Sequence, residues 1–230
     1  LSKIASSDKV KKVQKDFEAT HVRPQRLMKT LFTDEAYVKA NVDEARLMRR
    51  LFDLACNMQS HDTDMQLYSL FTDEECYDLW SCNNLYWYLT HACSPVTDGL
   101  MPYREADLLR NILDRADAAL KEGKNQATLR FGHESCLLPL VALLELNHYG
   151  ESYPDVEKLS EQWRAYDIFP MASNVQFVFF HKKGSNDVLV KVLLNEKEAK
   201  LPVKTDVAPY YHWKDVESYY REKLDKYQHI

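Results

Sequence analysis

A histidine and a glutamate lie side by side at the start of an apolar segment in the second half of the chain, in Leu129-Arg-Phe-Gly-His133-Glu134-Ser-Cys-Leu-Leu-Pro-Leu140. A carboxyl group can give a proton to a leaving group, and an imidazole can bind an anion by hydrogen bonding. The amides at a helix N-terminus also favour an anion. The pair therefore predicts an anion site with a proton donor, although a capped helix start with two solvated side chains would have the same sequence.

The flanking residues predict how this pair is positioned. Residues 127–131 form a short apolar run typical of a strand, and residues 136–146 are apolar enough for a buried helix. In α/β proteins, ligands bind at the carboxyl ends of strands, which is where this order of elements places His133 and Glu134. Arg130 would lie on the same strand, either contacting a bound phosphate or forming a surface ion pair.

The rest of the chain divides into two predicted segments. Residues 1–124 form a helical domain, in which Thr72-Asp-Glu-Glu75 predicts a capped helix start and Gly123 a helix end. Residues 125–230 form an α/β segment, with strands at 175–180 and 188–194 joined by a hairpin turn and a final helix at 213–227. Three strands are few for an independent sheet, so we expect the sheet to be partial.

Composition excludes several classes of protein. The chain has 5 glycines in 230 residues and contains neither a Rossmann fingerprint nor a Walker motif. Its net charge of −5 argues against a nucleic-acid partner, and the lack of a long apolar window argues against a membrane span. Because the first residue is Leu1, we expect the chain to be a processed product, a domain or a proteolytic piece.

Four collinear motifs resemble the histidine acid phosphatases, in the branch of multiple inositol polyphosphate phosphatases and related phytases. The segment around His133-Glu134 resembles the family's C-terminal active-site motif, in which a strand is followed by His-Asp, His-Glu or His-Ala-Glu and then by an apolar helix with Leu-Pro-Leu. Pro170-Met-Ala-Ser-Asn174, Leu193-Leu-Asn-Glu-Lys197 and Val216-Glu-Ser-Tyr-Tyr220 resemble later motifs in the same order. The implied fold is α/β, with a histidine-phosphatase-like core and residues 1–124 as the family's helical insertion domain.

The resemblance implies a two-step hydrolysis of phosphomonoesters through a phosphohistidine intermediate. In it, His133 corresponds to the histidine that contacts phosphate and Glu134 to the proton donor. Because some members carry an alanine inside the motif, Ser135 is an alternative match to the donor position. The implied substrate is a phosphorylated small molecule, with inositol polyphosphates or phytate first, and the mechanism needs no metal or organic cofactor.

One family motif is absent from the chain. The nucleophile lies in Arg-His-Gly-x-Arg, and the nearest text, His21-Val-Arg-Pro-Gln-Arg26, has the wrong order and fits a helix start at Pro24. In this family the nucleophile motif precedes everything seen here. We therefore expect the chain to be the C-terminal half of the enzyme, inactive alone and partnered by the missing N-terminal half.

The alternative hypothesis is a non-catalytic binding or scaffold module that kept the phosphatase fold and lost its chemistry. The upstream sequence separates the two hypotheses, because only the enzyme requires the nucleophile motif. The resemblance also implies an exported, periplasmic or secreted, bacterial protein.

Overall fold

The structure is a computed structural model that describes residues 1–124 and 126–227. Asn125, the first residue of the predicted second segment, and residues 228–230 lie outside the described part. The α-helices of the described part are α1 (Ser2–Ala5), α2 (Asp8–His21), α3 (Gln25–Leu31), α4 (Glu35–Asn41), α5 (Glu44–Asn57), α6 (Asp73–His91), α7 (Ala106–Glu122), α8 (Glu134–Leu143), α9 (Leu159–Gln162), α10 (Ala165–Ile168) and α11 (Trp213–Tyr227). The 3₁₀ helices are Met58–Ser60, Tyr68–Leu70, Pro95–Thr97, Met101–Glu105 and Val156–Lys158, and the strands are β1 (Val175–His181), β2 (Val188–Leu194), β3 (Lys197–Glu198) and β4 (Tyr211–His212). None of the helices in the described ranges has both the length and the apolar character needed to cross a membrane.

The chain packs as two compact units. One unit is Lys11–Tyr86, and the other combines Leu1–Val10 with Trp87–Ile230. The assignment of residues 1–124 to a helical insertion domain and of residues 125–230 to the phosphatase core stays a prediction.

The smaller unit is helical and is built around an apolar cluster that includes Leu27, Met48 and Leu79. At the start of α6 the predicted capping box is confirmed. The Glu75 amide donates to the Thr72 hydroxyl at 3.2 Å, and the Thr72 amide donates to the Glu75 carboxylate at 2.9 Å. The Arg26 guanidinium also donates to this carboxylate at 2.7 Å and holds the pKa of Glu75 below its usual value.

The larger unit contains the sheet, and the predicted hairpin is confirmed. Strands β1 and β2 pair antiparallel, with Val175 opposite Leu194 and His181 opposite Val188. The other side of β2 pairs with β3 at one end and with β4 at the other. Among the described residues, β1 has β2 as its one strand partner, so its outer edge is open.

The strand predicted at residues 127–131 is wrong. This segment has no regular secondary structure, and the side chains of Leu129 and Phe131 are 73% and 94% exposed. A strand exists only where a neighbour completes its hydrogen-bond ladder, and no strand of the described part pairs with this segment. Residues 127–131 therefore have the apolar composition of a strand but lack the partner strand that a strand requires.

Helix α8 is the buried centre of the larger unit. Leu138–Leu143 are all buried, as expected for a helix that is apolar on every side. Helix α11 holds its C-terminal end, because the Tyr220 hydroxyl donates to the Leu144 carbonyl at 2.7 Å and the Lys223 ammonium donates to the Leu143 carbonyl at 2.7 Å. These bonds satisfy carbonyls that a helix end otherwise leaves unpaired.

Helix α11 is in turn fixed to α7 by one arginine. The Arg221 guanidinium donates to Asp114 and Asp117 of α7 at 2.9 and 2.8 Å, and to Glu217 within α11 itself at 2.6 Å. The Trp213 indole N–H also donates to Asp117 at 2.8 Å. Three carboxylates around one guanidinium raise the pKa of Arg221 further above its usual value, with the Glu217 bond as the largest cause.

We predict that Tyr220→Phe lowers the free energy of unfolding by about 1–3 kcal/mol, because the fully buried Leu144 carbonyl loses its donor. Urea denaturation measures this change. Tyr37→Phe is the matched control, since Tyr37 is 54% exposed and its loss of a hydroxyl should have little effect. Equal effects of the two substitutions would contradict the role assigned to the Tyr220 hydroxyl.

Candidate functional site

The candidate site lies at the N-terminal end of α8, opposite the end that α11 holds. His133 is the N-cap residue, with φ −105° and ψ 163°, and Glu134 begins the first turn. The amides of Cys136 and Leu137 donate to the His133 carbonyl at 3.0 and 3.1 Å. This arrangement places the two adjacent side chains where the buried helix reaches the surface.

Both side chains are available to a ligand. His133 and Glu134 are exposed, and neither side chain makes a hydrogen bond or ion pair within residues 1–124 and 126–227. The first amides of α8 have no carbonyl one turn earlier in the helix, and the helix dipole favours negative charge at this end. The site therefore offers an anion amide donors, an imidazole and an adjacent carboxyl group.

The 3₁₀ helix Met101–Glu105 packs against α8. Glu105 is half-buried, and its carboxyl group lies close enough to Cys136, two residues after Glu134, for the thiol to influence its pKa. Burial raises the pKa of Glu105, while the neighbouring Arg104 and the Cys136 thiol act in the opposite direction. A second carboxyl group thus lies close to the first turn of α8.

A buried histidine completes the surroundings of the site. His91, at the end of α6, is 6% exposed, its Nδ1 lies 2.7 Å from the Thr90 hydroxyl, and its ring centre lies 4.7 Å from that of Trp87. Burial lowers the pKa of His91 to about 4. The positive charge of Arg104 adds to the shift and the negative charge of Glu134 opposes it. His91 is therefore neutral near neutral pH.

The structure brings together two of the three residues predicted for the site. His133 and Glu134 share the start of α8, whereas the Arg130 guanidinium donates to the Asn111 side chain of α7 at 2.7 Å. Arg130 lies in the irregular segment before α8 and not on the strand that we predicted for it. A phosphate contact by Arg130 stays a prediction.

Sequence analysis missed three residues around the site, namely His91, Arg104 and Glu105. They lie far from His133 in the chain, and no spacing or motif links them to it. The one usable indication was Pro102, which marks a helix start and so places Arg104 and Glu105 in a first turn. Their closeness to α8 is a product of tertiary packing.

No metal centre is indicated in the described part of the chain. Within it, no group of three or more histidine, cysteine, aspartate or glutamate side chains is arranged to hold a metal ion.

Comparison with known families identifies the class of protein. Residues 3–195 match the model of the histidine phosphatase superfamily (branch 2), and the chain belongs to that superfamily. Human multiple inositol polyphosphate phosphatase 1 is 28% identical over 134 residues, which cover 53% of this chain and 27% of the human protein.

Solved structures share the fold. The multiple inositol polyphosphate phosphatase of Bifidobacterium longum in complex with phosphate matches 97% of this chain and 55% of its own chain, with a TM-score of 0.64 and 19% identity. Its complex with inositol hexasulfate matches 94% of this chain and 52% of its own, with a TM-score of 0.61 and 19% identity. The chain thus spans about half the length of these solved relatives, and the predicted α/β histidine-phosphatase fold is confirmed.

We predict that His91 makes the chain acid-sensitive. Its pKa is about 4 in the folded chain and about 6.5 in an unfolded one, so the unfolded chain binds more protons between these values. Stability is therefore lost as the pH falls from about 6.5 towards 4, by about 2–3 kcal/mol from this residue. His91→Gln should remove this part of the loss.

The measurement is urea denaturation of the parent and His91→Gln chains at about pH 7 and about pH 4.5. His148→Gln is the control, because His148 is exposed. If His91→Gln leaves the difference between the two pH values as large as in the parent, the account of His91 is wrong.

Proposed function

We propose that this chain supplies the proton-donor half of a phosphatase site that hydrolyses phosphomonoesters, with inositol polyphosphates as substrates. One observation carries the proposal. In a member of the histidine phosphatase superfamily, an exposed histidine and glutamate occupy the start of a buried helix and are unpaired within the described residues. The nucleophilic histidine would come from a part of the protein outside this chain.

In the proposed reaction, His133 and the first amides of α8 bind oxygens of the phosphate group. The nucleophilic histidine attacks phosphorus, and the bond between phosphorus and the ester oxygen breaks. Glu134 gives its proton to that oxygen, which leaves as an alcohol. Water then attacks the phosphohistidine and passes a proton to the Glu134 carboxylate, so that inorganic phosphate is released and both residues are restored.

The substrate class is proposed from the relatives. The human protein and the Bifidobacterium longum protein are both named as multiple inositol polyphosphate phosphatases, and one structure of the latter holds inositol hexasulfate. A polyanionic ligand fits the exposed amides and imidazole at the start of α8. Because the whole chain carries a net charge of −5, the attraction of such a ligand has to come from the groups at this site and not from the overall charge.

We also propose where the rest of the enzyme packs. The outer edge of β1 has no partner strand among the described residues, and open edges pair readily with further strands. Leu129 and Phe131 are two positions apart, a spacing that would put them on one face of a strand, and both are largely exposed. An N-terminal half that completes the sheet along this edge and covers residues 127–131 would bring its nucleophile towards His133 and Glu134.

We predict that Glu134→Gln in the whole protein slows hydrolysis of inositol hexakisphosphate by about 10²–10⁴-fold, because the alkoxide then leaves without a proton. Hydrolysis of p-nitrophenyl phosphate should slow less, since nitrophenolate is a stable leaving group. Phosphate release measures both rates. Ser135→Ala tests the alternative match of the family motif and should retain parental turnover.

The two variants separate the possible assignments. A large loss of turnover in Ser135→Ala with little loss in Glu134→Gln would assign the donor position of the motif to Ser135. Parental turnover of inositol hexakisphosphate by Glu134→Gln would remove the proton-donor assignment altogether.

A further inference from the structure

Arg104 is an exposed arginine beside the candidate site. Many arginines of this chain are neutralised, as Arg110 is by Asp107 and Arg164 by Asp167. The Arg104 side chain makes no hydrogen bond or ion pair within residues 1–124 and 126–227. Its charge is therefore available to a ligand.

The backbone that carries Arg104 is firmly held. Met101 is 0% exposed and Pro102 is buried on one side of it, and Ala106 is 4% exposed on the other. The 3₁₀ helix of which it is part packs against α8. Because the backbone is already fixed, only the rotamer entropy of the side chain is lost when the guanidinium binds a ligand.

Packing and electrostatics place Arg104 near the proton donor. Its 3₁₀ helix packs against α8, and the next residue, Glu105, lies near Cys136 in the first turn of α8. Arg104 and Glu134 also lie close enough to the buried His91 to act electrostatically on the same imidazole. The Glu134 carboxyl and the Arg104 guanidinium are thus carried by two elements that pack together, and both act on the same imidazole.

The chemistry of the leaving group indicates which part of the substrate would lie near Glu134 and Arg104. The proton from Glu134 goes to the ester oxygen, which is attached to the alcohol part of the substrate. In an inositol polyphosphate, the neighbouring ring carbons carry further phosphates, so a second phosphate lies close to the same oxygen. A guanidinium fits a phosphate by two parallel hydrogen bonds, and its charge does not titrate in the physiological range.

We propose that Arg104 binds a second phosphate of the substrate, on a ring carbon next to the ester being cleaved, and so favours polyphosphorylated substrates over simple monoesters. This inference rests on the proposed function. His91 is neutral near neutral pH and adds no positive charge beside Arg104, and the carboxyl groups of Glu105 and Glu134 lie nearby.

The test compares Arg104→Gln, Arg104→Lys and Arg115→Gln in the whole protein. Arg115 is the control, because it is also exposed and makes no hydrogen bond or ion pair in the described part. It lies nine residues after Ala106, the first residue of α7, which is about 14 Å along the helix axis. The substrates are inositol hexakisphosphate and p-nitrophenyl phosphate, and kcat and KM are measured for each. Circular dichroism checks that each variant is folded.

We expect Arg104→Gln to lower kcat/KM for inositol hexakisphosphate by about 10- to 100-fold, mainly through KM, as for the loss of a charged hydrogen-bonded contact. Its kcat/KM for p-nitrophenyl phosphate should stay within about twofold of the parent, because that substrate has no second phosphate. Arg104→Lys should recover part of the loss, since it keeps the charge without the paired donors. Arg115→Gln should match the parent.

Two results would overturn the inference. If Arg104→Gln loses as much activity on p-nitrophenyl phosphate as on inositol hexakisphosphate, Arg104 acts on the structure or on the chemical step. If it loses activity on neither, Arg104 does not bind substrate. A parent protein that hydrolyses neither compound would instead refute the proposed function, on which this inference depends.

Discussion

The burial of α8 is the constraint on which the candidate site depends. An apolar helix is fixed at its C-terminal end by two hydrogen bonds from α11, and α11 is fixed to α7 by the two ion pairs of Arg221 with Asp114 and Asp117. Its other end reaches the surface and carries His133 and Glu134. Because the helix cannot shift without breaking these contacts, the backbone that carries the two adjacent exposed side chains is fixed in position, as a binding or catalytic site requires.

The electrostatics of that end are assembled from distant parts of the chain. Residues of α6 and of the 3₁₀ helix Met101–Glu105 surround the first turns of α8 with a neutral histidine, a half-buried carboxyl and an unpaired cation. An acidic chain therefore contains a local region suited to anions, built from amide donors and from Arg104. Burial keeps His91 neutral near neutral pH, so Arg104 and not His91 supplies positive charge at this end of α8.

Local pattern was enough to predict the elements that need only local information. The β1–β2 hairpin follows from two β-branched runs around a polar turn, and the start of α6 follows from the capping box of Thr72 and Glu75. The pair His133-Glu134 was found because the two residues are adjacent and precede an apolar helix. The strand at residues 127–131 was wrong, because a strand needs partners that its own sequence does not encode. His91, Arg104 and Glu105 were missed for the same reason, since packing alone brings them to α8.

The central claim is that this chain holds the proton donor and lacks the nucleophile. The most direct measurement is phosphate release from inositol hexakisphosphate by the 230-residue chain alone, and by the same chain co-expressed with the upstream segment of its own protein. The account predicts no release from the chain alone and clear release from the pair, provided that the upstream segment carries an Arg-His-Gly-x-Arg motif. Robust release from the chain alone would contradict the missing-nucleophile claim, and an upstream segment without that motif would favour a scaffold that kept the phosphatase fold.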